Sequence, residues 1–128
     1  MKRPAPYAVH VVLPMLLCAL VAVRAAGTQP LDRGGILVNA DGMTLYVFDR
    51  DIPNSGRSAC VGHCTSLWEP APVRDPPPAG SPFSIVVRED GTRQWAYQGK
   101  PLYLYAGDRL PGDRRGDKFK NVWHVVRR

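Results

Sequence analysis

Gly42-Met43-Thr44-Leu45-Tyr46-Val47-Phe48-Asp49-Arg50-Asp51 returns later in the chain as Gly99-Lys100-Pro101-Leu102-Tyr103-Leu104-Tyr105-Ala106-Gly107-Asp108. A glycine, a leucine, a tyrosine, a second aromatic two places on and an aspartate three places beyond it keep one spacing. A tryptophan follows each copy, Trp68 and Trp123. A repeat of this kind writes one supersecondary unit twice, and the two units must pack together to close a core. Alternation along a strand sends Tyr46 and Phe48, and likewise Tyr103 and Tyr105, to one face, and Val47 and Leu104 to the other. Both faces are apolar, which predicts strands covered on both sides, with tyrosine hydroxyls that need partners where they are buried. Asp51 and Asp108 fall just past the strand ends, where a carboxylate can accept amide hydrogen bonds from the following turn.

Working outward, residues 36–38 and 45–48 flank Asn39-Ala40-Asp41-Gly42, two β-rich runs around a turn cluster, which reads as a hairpin. Residues 83–87, 94–97 and 102–105, separated by Gly91 and Gly99 turns, read as a three-stranded meander, and residues 122–126 as a closing strand. Gly27 to Arg33 reads as a flexible leader. Between the halves, Pro70, Pro72, Pro76, Pro77, Pro78 and Pro82 fix φ and remove backbone donors, so this segment is an extended connector and not a central strand. Neither half has enough strands to be stable alone. The expected fold is all-β: a small antiparallel sheet domain of two pseudo-repeats, one at about 35–70 and the other at about 83–128.

The N-terminus predicts a compartment. Lys2 and Arg3 precede an apolar run over about residues 8–23, then small residues at Ala25, Ala26 and Gly27, the order of a secretory signal peptide. Residues 1–25 are therefore assigned to a cleaved signal and 26–128 to the exported domain. The run is short and interrupted by His10 and Pro14, which argues against a membrane span. Cys18 follows Leu16 and Leu17 where lipidation wants a small residue, which disfavours a lipid anchor. The chain carries 17 Lys and Arg against 11 acids, net +6. Removing Lys2, Arg3 and Arg24 leaves 14 against 11, close to +3. Asp108, Asp113 and Asp117 interleave the basic C-terminal segment, so it reads as a solvated face, and no nucleic-acid partner is expected.

Tyr46-x-Phe48-x-x-Asp51 and Tyr103-x-Tyr105-x-x-Asp108 closely resemble the Yx(F/W/Y)xxD motif of the secreted repeat proteins, a predicted lipoprotein family. The likeness extends to Cys60-Val61-Gly62-His63-Cys64 before Trp68-x-Pro70, to Asp90-Gly91-Thr92-Arg93-Gln94-Trp95, to the loop Gly107-Asp108-x-x-Pro111-Gly112-Asp113 and to Val122-Trp123-His124-Val125. It implies an exported protein of the bacterial envelope or extracellular space with no established activity. The poor lipidation signal at Cys18 departs from the lipoprotein half of the family's label.

Cys60 and Cys64 are the only cysteines left after cleavage, and oxidising compartments turn such pairs into disulfides. A separation of four suits a bridge if the segment coils through a helical turn. The alternative is metal. Cys60, His63 and Cys64 offer two thiolates and an imidazole that suit copper or zinc, with Met43 and His124 as possible additions, provided the pair is reduced. Thiol exchange is a third use, though redox pairs usually come as Cys-x-x-Cys. There is no Gly-x-Ser-x-Gly, no His-Glu-x-x-His and no phosphate-binding glycine loop, so a non-enzymatic role is expected. Asp49, Asp51, Asp108, Asp113 and Asp117 lack the order of a calcium loop and read as turn chemistry. These readings converge on a secreted or periplasmic binding or structural module with an unknown envelope or extracellular ligand. The Trp68 and Trp123 loops and the aromatic face of the repeats are its expected contact surface.

Overall fold

The computed structural model describes residues 1–11 and 29–128. The body of the apolar run, the cleavage site near Ala25 and Cys18 lie outside them. The strands in chain order are β1 (Leu31–Arg33), β2 (Ile36–Val38), β3 (Tyr46–Phe48), β4 (Trp68–Pro70), β5 (Phe83–Val87), β6 (Arg93–Tyr97), β7 (Lys100–Pro101), β8 (Tyr103–Tyr105) and β9 (Trp123–Val125), with short 3₁₀ turns over Gly62–Ser66 and Phe119–Asn121. The fold is all-β and antiparallel, as the repeats predict.

The central sheet has the order β4-β8-β3-β9, so strands of the first repeat alternate with strands of the second. Tyr46 faces Tyr103 at its centre, and the pairs Phe48↔Trp123 and Trp68↔Tyr105 flank it on either side. Each pair joins equivalent positions of opposite repeats, which defines a pseudo-twofold axis through the Tyr46–Tyr103 pair. The same exchange continues at the margins. Ala71 N–H donates to Leu102 O at 2.9 Å and Leu102 N–H to Trp95 O at 2.8 Å, while Val126 N–H donates to Leu45 O at 3.4 Å and Leu45 N–H to Leu37 O at 3.0 Å. The two sets correspond position for position, with Trp95 standing where the first repeat has Leu37.

Three expectations need correction. Gly27 to Arg33 is not wholly a leader, because Leu31–Arg33 pairs with Ile36–Val38 around Gly34 and Gly35, both at positive φ, in the hairpin β1–β2. The hairpin expected between residues 36–38 and 45–48 is reduced to the bridge Val38↔Thr44 and neighbouring amide bonds, since β3 is taken up by β8 and β9. For the same reason the meander keeps only Lys100–Pro101 as its third strand, and Tyr103–Tyr105 crosses into the central sheet. Burying the tyrosines between two partner strands outweighs extending a solvent-edged hairpin.

The two faces of the sheet carry two cores. One contains Tyr46, Tyr103, Trp68, Trp123 and Cys60, with Phe48, Tyr105, Cys64 and Phe119 packed against it. The other contains Leu37, Leu45, Leu102, Phe83 and Trp95, with Val47 and Leu104 against it. In the first, Phe48, Trp123, Trp68 and Tyr105 form a continuous stack with ring centroids 4.2, 3.8 and 4.6 Å apart in turn. Tyr46 meets Trp68 edge-on at 5.3 Å, and Tyr103 meets Trp123 edge-on at 5.0 Å. The edge contacts are among the arrangements the ring quadrupole favours.

Gly116 permits this packing. A Cβ placed on it would lie 2.7 Å from Trp68 Cη2 and 3.0 Å from Tyr105 Cγ, against the buried indole and the half-buried phenol ring. Gly116→Ala is expected to destabilise the domain by about 1–3 kcal/mol, measured as a lower urea midpoint at unchanged slope. A variant as stable as the parent would show that the stack has slack there.

Candidate functional site

The doubled motif forms one reciprocal polar lock. Tyr46 Oη donates to Asp108 Oδ2 at 2.6 Å, and Tyr103 Oη donates to Asp51 Oδ2 at 2.6 Å, so each repeat's tyrosine is held by the other repeat's aspartate. The second oxygen of each carboxylate turns back to its own loop: Asp51 Oδ1 accepts Ala59 N–H at 2.6 Å and Asp108 Oδ1 accepts Arg115 N–H at 2.9 Å. Each phenol oxygen has a further partner, Gly116 N–H for Tyr46 and the Ser58 hydroxyl for Tyr103. Both tyrosines have no exposed surface, and the two aspartates are buried.

Burial, and then the hydrogen bond to the facing carboxylate, push both phenols well above the ordinary tyrosine value. Burial likewise raises Asp51, opposed by the Tyr103 hydroxyl, the Ala59 amide and the nearby Arg88 charge. Arg88 also ties this corner together. Its Nη2 donates to Cys60 O at 2.6 Å and its Nη1 to Gln94 Oε1 at 2.8 Å, while Gln94 Nε2 donates to Leu102 O at 2.8 Å. Asp113 is half-buried and held below the usual carboxylate range by the backbone N–H groups of Arg109 and Leu110.

Sequence reasoning located the motif residues but not their cross-repeat pairing, nor Ser58, Arg88 and Gln94. The signal for Gln94 was present, an amide in an apolar strand. Arg88 bonds one backbone carbonyl, that of Cys60, which leaves no trace in spacing, and the Gln94 amide on the neighbouring strand.

Cys60 and Cys64 form a disulfide with S–S 2.04 Å and Cα–Cα 5.3 Å, and the 3₁₀ turn Gly62–Ser66 brings them together. Bonded sulfurs are not thiolate ligands, and His63 lies exposed beside them. Among the described residues no group of three or more His, Cys, Asp and Glu is placed to hold a metal ion. His124 instead contacts Asp49 at 2.8 Å, across the sheet. In the second repeat, Phe119 occupies the place of Cys64, four residues before its tryptophan, and packs edge-on to Trp68 at 5.7 Å. One repeat thus clamps its loop covalently and the other with a ring. Replacing both cysteines by alanine is expected to cost about 2 kcal/mol, because the closed loop is short. The check is chemical denaturation of the variant beside the oxidised parent, and equal midpoints would remove the clamp's stabilising role.

Trp68 and Trp123 do not form a contact surface: they are 2% and 3% exposed, at the centre of the ring stack. Exposed apolar side chains lie elsewhere, among them Val61 at 58% and Val87 at 65%. These two line an open groove of about 630 Å³ beside the disulfide loop, together with Arg57, Arg88 and Asp90. A smaller cleft of about 100 Å³ lies where Leu45, Ala71, Trp95 and Leu104 meet, with Asp41 and Arg74 also on its wall.

A covered antiparallel sheet threaded alternately by two repeats, with its motif aromatics turned inward, defines a duplicated all-β scaffold domain. A family model described as a secreted repeat of unknown function matches residues 27–72 and 84–127, and the chain belongs to that family. No curated protein and no solved structure matches the chain. The family's description places the protein among exported ones. Among the described residues no helix is long and apolar enough to cross a membrane.

Proposed function

We propose that this protein is an exported, non-catalytic binding or structural module of the bacterial envelope, delivered by a cleaved signal peptide. The observation that carries this reading is the reciprocal lock. The polar atoms of the motif, Tyr46, Tyr103, Asp51 and Asp108, are buried and paired with one another and with loop amides, so the motif builds the scaffold. Contacts with a partner then fall to the exposed loops and clefts around it, which differ between the repeats. Such a module acts stoichiometrically. Immobilised mature domain incubated with native envelope fractions is expected to retain a defined component saturably, near one to one, without altering it chemically. Retention of nothing, together with chemical conversion of envelope material by substoichiometric amounts of the domain, would overturn the reading.

A further inference from the structure

The two repeats treat their outermost strand differently. β1 (Leu31–Arg33) in the first and β5 (Phe83–Val87) in the second occupy equivalent places, since Asp32 faces Leu37, Ile85 faces Trp95, and Leu37 and Trp95 correspond. Among the described residues each is paired on one side alone, β1 with β2 and β5 with β6. β1 is three residues long and carries Asp32 and Arg33, the short charged form that keeps an exposed strand edge from pairing with other chains. β5 is five residues long, Phe83-Ser84-Ile85-Val86-Val87, rich in β-branched side chains and without a charge or a proline.

The direction of its backbone groups follows from its neighbours. Gln98 N–H donates to Pro82 O at 2.9 Å and Arg88 N–H to Thr92 O at 2.9 Å, so the even-numbered residues of β5 turn their amides toward β6. Trp95 agrees, because its N–H donates to Ala71 O and its C=O accepts Leu102 N–H, both on the far side of β6. The odd-numbered residues of β5 therefore direct theirs away from the sheet. Phe83 N–H is taken by Ser81 Oγ at 3.1 Å. The N–H groups of Ile85 and Val87 and the carbonyls of Phe83, Ile85 and Val87 have no hydrogen-bond partner among the described residues. Val87 is 65% exposed and Ser84 is exposed beside it, so this edge is open to solvent.

We propose that a second copy of this chain docks on this edge, β5 against β5 and antiparallel, joining the three-stranded sheets of the two copies into one continuous sheet. With the strands fully overlapped, the twofold axis passes between the two Ile85 residues. These exchange both of their N–H···O bonds, and each Val87 N–H donates to Phe83 O of the other copy, so every unpaired N–H of the edge finds an acceptor. The occupant is a second copy because the sequence is complementary to itself in that register. Val87 lies beside Phe83 and Val86 beside Ser84, while Arg88, Glu89 and Asp90 fall opposite Pro82, Ser81 and Gly80, so no charge meets a charge. The contact is small, and a dissociation constant on the order of 0.1 mM is expected.

Sedimentation velocity of the exported protein with its disulfide intact, from about 0.01 to 1 mM, is expected to show a monomer–dimer equilibrium. Val87→Pro deletes an N–H that bonds nothing within the monomer and is expected to weaken the dimer about tenfold. Ser84→Lys, a charge at an exposed edge position, is expected to weaken it in the same direction and serves if the proline variant fails to fold. Ile85→Cys locates the axis, because residues paired in this way have α-carbons about 5.5 Å apart, within reach of a disulfide. In a glutathione buffer it is expected to accumulate a covalent dimer, while Asp32→Cys, at the equivalent place on β1, does not. A sedimentation coefficient constant up to about 1 mM overturns the proposal. So does a dimer that Val87→Pro and Ser84→Lys leave unchanged, or equal cross-linking from positions 32 and 85. Capture of a different envelope protein by Ile85→Cys, with no self-dimer, assigns the edge to another chain's strand and overturns it likewise.

Discussion

Trp123→Ala and Trp68→Ala are each expected to cost about 3–5 kcal/mol, a large part of the roughly 5–15 kcal/mol that holds a small domain together. Each indole is sandwiched on both faces, Trp123 between Phe48 and Trp68, and Trp68 between Trp123 and Tyr105. Truncating either opens a cavity beside rings fixed by their own strands, so the site cannot collapse onto it. Because the two indoles lie 3.8 Å apart and nearly parallel at 3°, their effects should not add. A double-mutant cycle is expected to return a coupling of about 0.5–1.5 kcal/mol. Urea melts of the single and double variants provide the measurement, with Trp→Phe substitutions carrying the comparison if an alanine variant fails to fold. Costs below about 1 kcal/mol would place the tryptophans on a surface and break the account of the core.

Stability should also fall steeply in alkali. An unfolded tyrosine ionises near pH 10. Tyr46 and Tyr103 are held protonated well above that by burial and by the facing carboxylates. Below pH 10 both states keep the phenolic protons and the stabilisation is fully present. Above it the unfolded chain has released protons that the folded chain still binds, so the free energy of unfolding drops as pH rises through the interval between the two values. Two such groups give a slope of about 2.7 kcal/mol per pH unit. The variant Tyr46→Phe with Tyr103→Phe is less stable at neutral pH, because Asp108 and Asp51 lose their donors, but it should lose this component of the slope. Thermal melts of both proteins from neutral pH to pH 11 decide the matter. Equal slopes would show that the two phenols ionise as freely in the fold as out of it.

Much of this architecture could be read from the chain. The repeat, the inward faces of Tyr46, Phe48, Tyr103 and Tyr105, the turn-binding role of Asp51 and Asp108 and the proximity of Cys60 to Cys64 all follow from local spacing. What could not be read is which strand lies beside which. Short strands of three residues have little register information of their own, and the choice of neighbour is made by the buried tyrosine and tryptophan rings, which reach across the sheet to the other repeat. That is why residues 102–105 leave the expected meander, and why Trp68 and Trp123, whose loops are the contact surface the sequence predicts, lie in the core. Trp95 is the converse case: its place in a strand was legible, but that its buried nitrogen lacks a partner among the described residues appears only when every neighbouring acceptor has been placed.

The alternation of strands in the central sheet has a consequence for how such a protein can vary. The molecule is in effect a homodimer joined into one chain by the proline-rich connector, with the tether supplying the high local concentration that two separate halves would lack. A true homodimer must change both subunits at once, so every new loop appears twice. Joining the halves removes that constraint. The first copy could acquire its Cys60–Cys64 bridge while the second kept Phe119, and the second could take an indole at Trp95 while the first kept Leu37. Symmetry is retained in the lock, the ring stack and the strand pairing, and given up at the disulfide loop and at Trp95.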